Sequence, residues 1–188
     1  MLNNYARKWF EDSFDELSPL LQKLHVHGGQ LTGPVFINIP TGATGFIGQK
    51  IAKKLGIPIN KGSHSLQVEI KHSNDGLHWN RCFDGINKME SVFKPIGKKS
   101  NGYWIETTGT TRLKLTVDIK DGGWYWRVLE AKVRGIKIPL WLFPKTNAYK
   151  IIEGDSYRFY VGFSVPLLGE VLSYSGLLQA ELNQQEFK

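Results

Sequence analysis

The chain has 188 residues, 41% hydrophobic and 22% charged, with a net charge of +7 and a pI near 9.4. That size and balance predict one domain over residues 1–188, and no apolar run is long enough to span a bilayer. A single cysteine, Cys82, excludes an internal disulfide and a multi-cysteine zinc site. Together with a charged N-terminal stretch that does not read as a secretory signal, it fits a cytoplasmic location. The basic residues are scattered, with short pairs such as Lys53-Lys54 and Lys98-Lys99, and no recognised nucleic-acid motif accompanies them, so nucleic acid is not an expected partner.

Residues 1–27 form a helical segment. Tyr5, Trp9, Phe10, Phe14, Leu17, Leu20, Leu21 and Leu24 make an apolar stripe. Ser18-Pro19 divides it into two helices, Ser18 as cap and Pro19 in the first turn, and Gly28-Gly29 ends the second. Residues 28–64 read as a strand plus a short helix: Val35–Ile39 is strand-like, and Phe46–Leu55 has helical apolar spacing. Between them lies Thr-Gly-Ala-Thr-Gly-Phe-Ile-Gly, residues 41–48. Over about twenty-five residues this resembles the extended short-chain dehydrogenase and epimerase proteins, which implies a nicotinamide cofactor at Gly42, Gly45 and Gly48. The context speaks against that implication. Pro40 sits where a central parallel strand would end, no Tyr is followed four positions later by Lys, and no second crossover helix appears. The expected role of these glycines is turn formation and close packing of an amphipathic helix on a sheet, so no cofactor is predicted.

From residue 65 to 180 the period changes to two. Leu66, Val68 and Ile70 alternate with polar residues; Asn74-Asp75-Gly76 turns the chain; Leu77, Trp79, Arg81 and Phe83 then share a face. Tyr103, Ile105 and Thr107 follow after the turn at Ser100-Asn101-Gly102. Leu113, Leu115, Val117 and Ile119 alternate cleanly, Asp121-Gly122-Gly123 turns into Trp124–Val128, and Tyr157, Phe159, Val161, Phe163 and Val165 alternate before a last strand at Val171–Leu178. About ten short antiparallel strands hide their edges best by curling. The predicted fold is mainly β, an antiparallel up-and-down barrel or strongly curved half-barrel, lipocalin-like, with N-terminal helices. The alternative is a helix-grip α+β fold, disfavoured because the C-terminus reads as a strand with a short polar tail.

Dispersed landmarks carry a second resemblance. They include Trp79-Asn80-Arg81-Cys82-Phe83, Glu106-Thr107-Thr108-Gly109, Gly122-Gly123-Trp124, Gly135–Pro139, Asp155, Tyr157–Val161, Pro166, Gly169 and Tyr174-Ser175-Gly176. In this order the chain resembles the bacterial domain of unknown function 4166 family over nearly its whole length. The resemblance implies no activity, cofactor or catalytic residue. It does imply that such domains stand alone or beside dehydrogenase-like or membrane segments, which makes those the expected protein partners.

Arg81 is the first candidate for chemistry. Alternation turns it towards the interior, where a guanidinium must be paired with a ligand acid or with an internal carboxylate such as Glu106, Glu90 or Glu130. Trp79, Phe83, Tyr103, Trp126, Tyr157 and Phe159 are the candidate lining of an apolar pocket around it. His25 and His27 lie at a helix end and suit surface or capping roles, and no third ligand makes a metal site. Ile138–Pro144 is densely apolar and reads as buried chain, a mouth-covering loop or a docking patch. The reading is a non-enzymatic binding module for an apolar or amphipathic molecule such as a lipid or fatty acid, its acidic head on Arg81. The alternatives are an NAD(P)-linked oxidoreductase or accessory subunit, and a protein-interaction module.

Overall fold

A computed structural model describes residues 4–183. Residues 1–3 and 184–188, which include most of the polar tail, lie outside the described residues. The fold is mainly β, with 57% of the described residues in strands. Three helices, α1 (Tyr5–Phe10), α2 (Pro19–His27) and α3 (Gly42–Leu55), accompany eleven strands. These are β1 (Gly29–Asn38), β2 (Gly62–Ser73), β3 (Gly76–Phe83), β4 (Asn87–Ile96), β5 (Tyr103–Thr108) and β6 (Thr111–Lys120), followed by β7 (Gly123–Val133), β8 (Ile136–Ile138), β9 (Lys145–Glu153), β10 (Ser156–Val165) and β11 (Gly169–Leu182).

Ten of these strands close into an antiparallel barrel in the order β6-β5-β4-β3-β2-β1-β11-β10-β9-β7, sealed by pairing of β6 with β7. The helix-grip alternative is not realised, because the C-terminal segment is strand β11, held between β1 and β10. Closure leaves one short seam. β9 meets β7 only at Trp124, Tyr125 and Trp126, and higher up β7 exchanges it for β8 at Ala131–Val133. Residues 139–144 connect β8 to β9.

The two ends of the barrel differ. α1, a 3-10 turn over Glu11–Glu16 and α2 plug the end where β2 turns into β3 and β6 into β7. Ser18 N donates to Gly122 O and Lys99 N to Trp9 O, which ties the plug to two of the turns at that end. The continuous first helix expected from the apolar stripe stops at Phe10, because Glu11 takes a left-handed φ of 53°. This break lets Trp9, Phe10 and Phe14 all enter the core, where Phe10 stands edge-on to Trp124 at 4.7 Å and Trp9 to Trp104 at 5.7 Å. Ser18 occupies the N-cap position of α2, but its side chain makes no capping bond.

At the other end, α3 begins within the glycine motif and packs on β11. A Cβ on Gly48 would overlap the Val171 carbonyl oxygen, and one on Gly45 the Pro40 carbonyl oxygen. Gly48 therefore lets the helix lie against the barrel wall at β11, and Gly45 lets its first turn lie against the connection from β1. β1, the strand before the motif, is antiparallel to both its neighbours. Among the described residues there is no parallel strand pair or crossover of the kind that gives such a motif its phosphate-binding geometry.

Candidate functional site

The barrel encloses a cavity of about 440 Å³, within the range of small-molecule sites. Much of its wall is apolar: Leu66, Val68, Met89, Phe93, Leu113, Val161 and Phe163 from the strands, Ile51 and Leu55 from α3, and Phe143 and Pro144 from the loop above the seam. Within this wall sits a compact polar group built from four strands and one helix.

Alternation along β3 turns Leu77, Trp79, Arg81 and Phe83 inward, and Arg81 borders the cavity. Its Nη1 donates to Ser91 Oγ at 3.1 Å. Ser91 Oγ lies 2.7 Å from Thr108 Oγ1, which donates to Glu106 Oε1 at 3.2 Å. With Thr108 committed as donor to Glu106, Ser91 donates to Thr108 and accepts from Arg81. The guanidinium thus reaches the carboxylate through two hydroxyls. Register produces this chain, since β4 places Ser91 opposite both Trp79 on β3 and Thr108 on β5. Burial pushes Glu106 above the usual carboxylate range, opposed by Arg81 and by the hydroxyl bonds.

The second half of the group comes from β9 and α2. Lys150 is 6% exposed, and its Nζ stands 4.3 Å from the ring centre of Trp79 and 4.2 Å from that of Trp124, an arrangement that attracts an ammonium to the ring faces. His25, fully buried in α2, approaches Lys150 Nζ with Nε2 at 2.6 Å and Leu21 O with Nδ1 at 2.7 Å. A carbonyl oxygen only accepts, so Nδ1 carries the proton and Nε2 accepts from Lys150. Burial drives Lys150 well below the ordinary amine range, with Arg81 adding to the shift and Glu106 opposing it. Burial likewise drives His25 well down, and Lys150 reinforces it.

Donors outnumber acceptors here. Among the described residues neither Arg81 nor Lys150 has a carboxylate oxygen within ion-pair distance. Trp104 and Trp124 border the cavity, and their buried indole N–H groups find no partner among the described residues. Among the described residues Glu106 is the one acidic residue in the lining.

Of the sequence candidates, Arg81, Trp79, Trp126, Tyr157 and Phe159 border this cavity. Phe83 is fully buried against Tyr174, in packed core away from it. Tyr103 lies on the outer wall beneath Lys114 at 4.7 Å, because Trp104, Glu106 and Thr108 form the inward phase of β5. Glu106 is the internal acid; Glu90 is exposed on β4. Glu130 is outside because a register shift leaves Leu129 unpaired between Val128 and Glu130, inverting the phase of β7 beyond it. It pairs there with Lys137 at 2.8 Å.

Lys150 and His25 were not read from the sequence as site residues. For Lys150 the available signal was its alternation with Ala148 and Ile152; for His25 it was a place four residues after Leu21 on the apolar side of α2. The histidine is core, in place of the surface or capping role expected of it. Ile138, Leu142, Phe143 and Pro144 border the cavity, yet Leu140, Trp141 and Leu142 remain largely exposed, so the apolar segment is a loop over the mouth.

The closed barrel with a polar group inside an apolar cavity defines a lipocalin-like β-barrel whose architecture is compatible with binding. The chain belongs to the family described as Domain of unknown function (DUF4166), which it matches over residues 17–178. No curated protein and no solved structure matches the chain. Among the described residues no helix is long and apolar enough to cross a membrane, and no group of three His, Cys, Asp or Glu residues is arranged to hold a metal ion.

Proposed function

We propose that the barrel binds an amphiphile with an acidic head and an apolar tail, of the fatty-acid kind, as a carrier or sensor and not as a catalyst. The observation that carries this reading is the imbalance inside the cavity: two basic side chains, Arg81 and Lys150, line it with one carboxylate, Glu106, itself occupied by a hydroxyl chain. A ligand carboxylate supplies the missing acceptors, bound by Arg81 through charge-assisted hydrogen bonds and attracted by Lys150. Leu66, Val68, Leu113, Val161 and Phe163 suit the tail.

Native mass spectrometry of the purified protein, against its denatured mass, detects a co-purified amphiphile. The decisive comparison uses a fatty acid and the alcohol of equal chain length. Arg81→Met should weaken the acid at least ten-fold, about 1.4 kcal/mol or more, and leave the alcohol nearly unchanged. Equal affinity of wild type and Arg81→Met for the acid removes Arg81 from the role, and no binding of either ligand to the wild type removes the reading itself.

A further inference from the structure

The open end of the barrel carries an apolar rim set in positive charge. Phe46, Ile136, Trp141, Leu142 and Leu167 are 59%, 68%, 71%, 60% and 105% exposed, and all five lie on the connections at this end. They belong to three different connections: the α3 segment, the β7–β9 segment and the β10–β11 turn. Exposed apolar residues gathered on loop tips around one opening mark an interaction surface. Tryptophan in particular favours the boundary between water and lipid.

The charge on the same loops is one-sided. Residues 39–61 contain Lys50, Lys53, Lys54 and Lys61 and no acidic residue; residues 134–145 contain Arg134, Lys137 and Lys145 and again none. All seven are exposed. Lys137 is held by Glu130, the other six have no carboxylate partner among the described residues, and Lys54 also borders the cavity. The nearby acid Asp84 is engaged by His64 at 2.6 Å. Projecting apolar side chains within a ring of lysines match a surface that offers hydrocarbon beneath anionic headgroups.

We infer that this end docks on an anionic lipid bilayer, with Trp141, Leu142 and Phe46 entering the interface and the lysines facing the headgroups. The cavity mouth then opens towards the membrane. The docking surface shares Lys54 and Leu142 with the cavity mouth but not Arg81, so loss of docking and loss of head-group binding can be told apart.

The test is co-sedimentation of the full chain with vesicles of phosphatidylcholine alone, and with vesicles containing one third phosphatidylglycerol, at low and high salt. Binding to the anionic vesicles, at least ten-fold weaker on phosphatidylcholine and weakened by salt, is expected. Trp141→Ser with Leu142→Ser should reduce binding at least ten-fold, and Lys50→Glu with Lys53→Glu comparably. Lys8→Glu, on α1 at the plugged end, should have little effect, and Arg81→Met should dock normally. Absence of binding to anionic vesicles overturns the inference, as does equal sensitivity to Lys8→Glu, which would mean charge without orientation. A dimer in analytical ultracentrifugation that Trp141→Ser dissociates would assign the rim to a second copy of the chain and overturn it too.

Discussion

Lys150 Nζ on β9 lies 2.6 Å from His25 Nε2 on α2, a contact spanning 125 positions of sequence. It joins the helical plug to the barrel wall at the centre of the polar group. Donation from His25 Nδ1 to Leu21 O fixes the tautomer of the neutral imidazole, while burial and Lys150 lower its proton affinity against the opposing effect of that bond. Both partners are basic groups whose proton affinity burial lowers, and their behaviour with pH follows from that.

His25 is depressed below its ordinary value of 6.5. Between its folded value and 6.5 the unfolded chain holds a proton that the native chain does not. Stability therefore rises with pH across that window and falls on acidification, by up to about 1.4 kcal/mol per pH unit. His64 is pulled down by burial but raised more by Asp84; its contribution is present below 6.5 and is lost above it, a separate window. Denaturant unfolding of wild type and His25→Gln between pH 5 and 8 should show a shallower acid limb in the variant. Parallel curves would exclude His25 as the source.

An anion beside Lys150 favours its protonated form. Binding of an alkyl sulfonate, which stays ionised throughout, should take up a proton and weaken as pH rises towards the ordinary lysine value of 10.5. Calorimetry in two buffers of different ionisation enthalpy measures that uptake. Lys150→Met should abolish it; methionine keeps much of the side-chain volume, and leaving His25 Nε2 without its donor should cost about 1–3 kcal/mol of stability.

Ala148 borders the cavity opposite Trp126. Ala148→Phe places a ring in that space and should cut amphiphile affinity at least ten-fold. The melting temperature should hold or rise, because filling an existing void adds packing contacts. A fall of many degrees would indicate that the site is already tightly packed.

Gly48→Ala and Gly45→Ala should each destabilise the fold by about 2–4 kcal/mol, through overlap with the carbonyl oxygens of Val171 and Pro40. Gly42 has open space around its missing Cβ and a φ of 71°, so Gly42→Ala should cost only about 1 kcal/mol. Thermal unfolding checks the order. A cofactor role for these glycines would instead leave stability intact and change nucleotide binding.

The barrel was legible because most strands show one clean apolar phase. β3 and β10 place Trp79, Arg81, Tyr157 and Phe159 correctly by alternation alone. Tyr103 was misplaced because both phases of Tyr-Trp-Ile-Glu-Thr-Thr carry large apolar side chains, so period two gives no inward direction there. Glu106 and Tyr103 are in opposite phases of one strand, and packing of Trp104 against Trp9 and Trp124 selects the phase that turns Glu106 inward. The β7 bulge at Leu129 carries no local mark, yet it decides that Glu130 faces water.

Local periodicity by itself determined that this chain is an antiparallel meander, that its glycine motif lacks the crossovers of a nucleotide fold, and that Arg81 faces inward. These are properties of neighbouring residues on one strand or turn. Tertiary structure alone decided that Lys150 meets His25, that Arg81 reaches Glu106 through Ser91 and Thr108, and that the exposed apolar loops share the open end. Those relationships depend on barrel closure and strand register, which bring together side chains with no periodic relation in sequence.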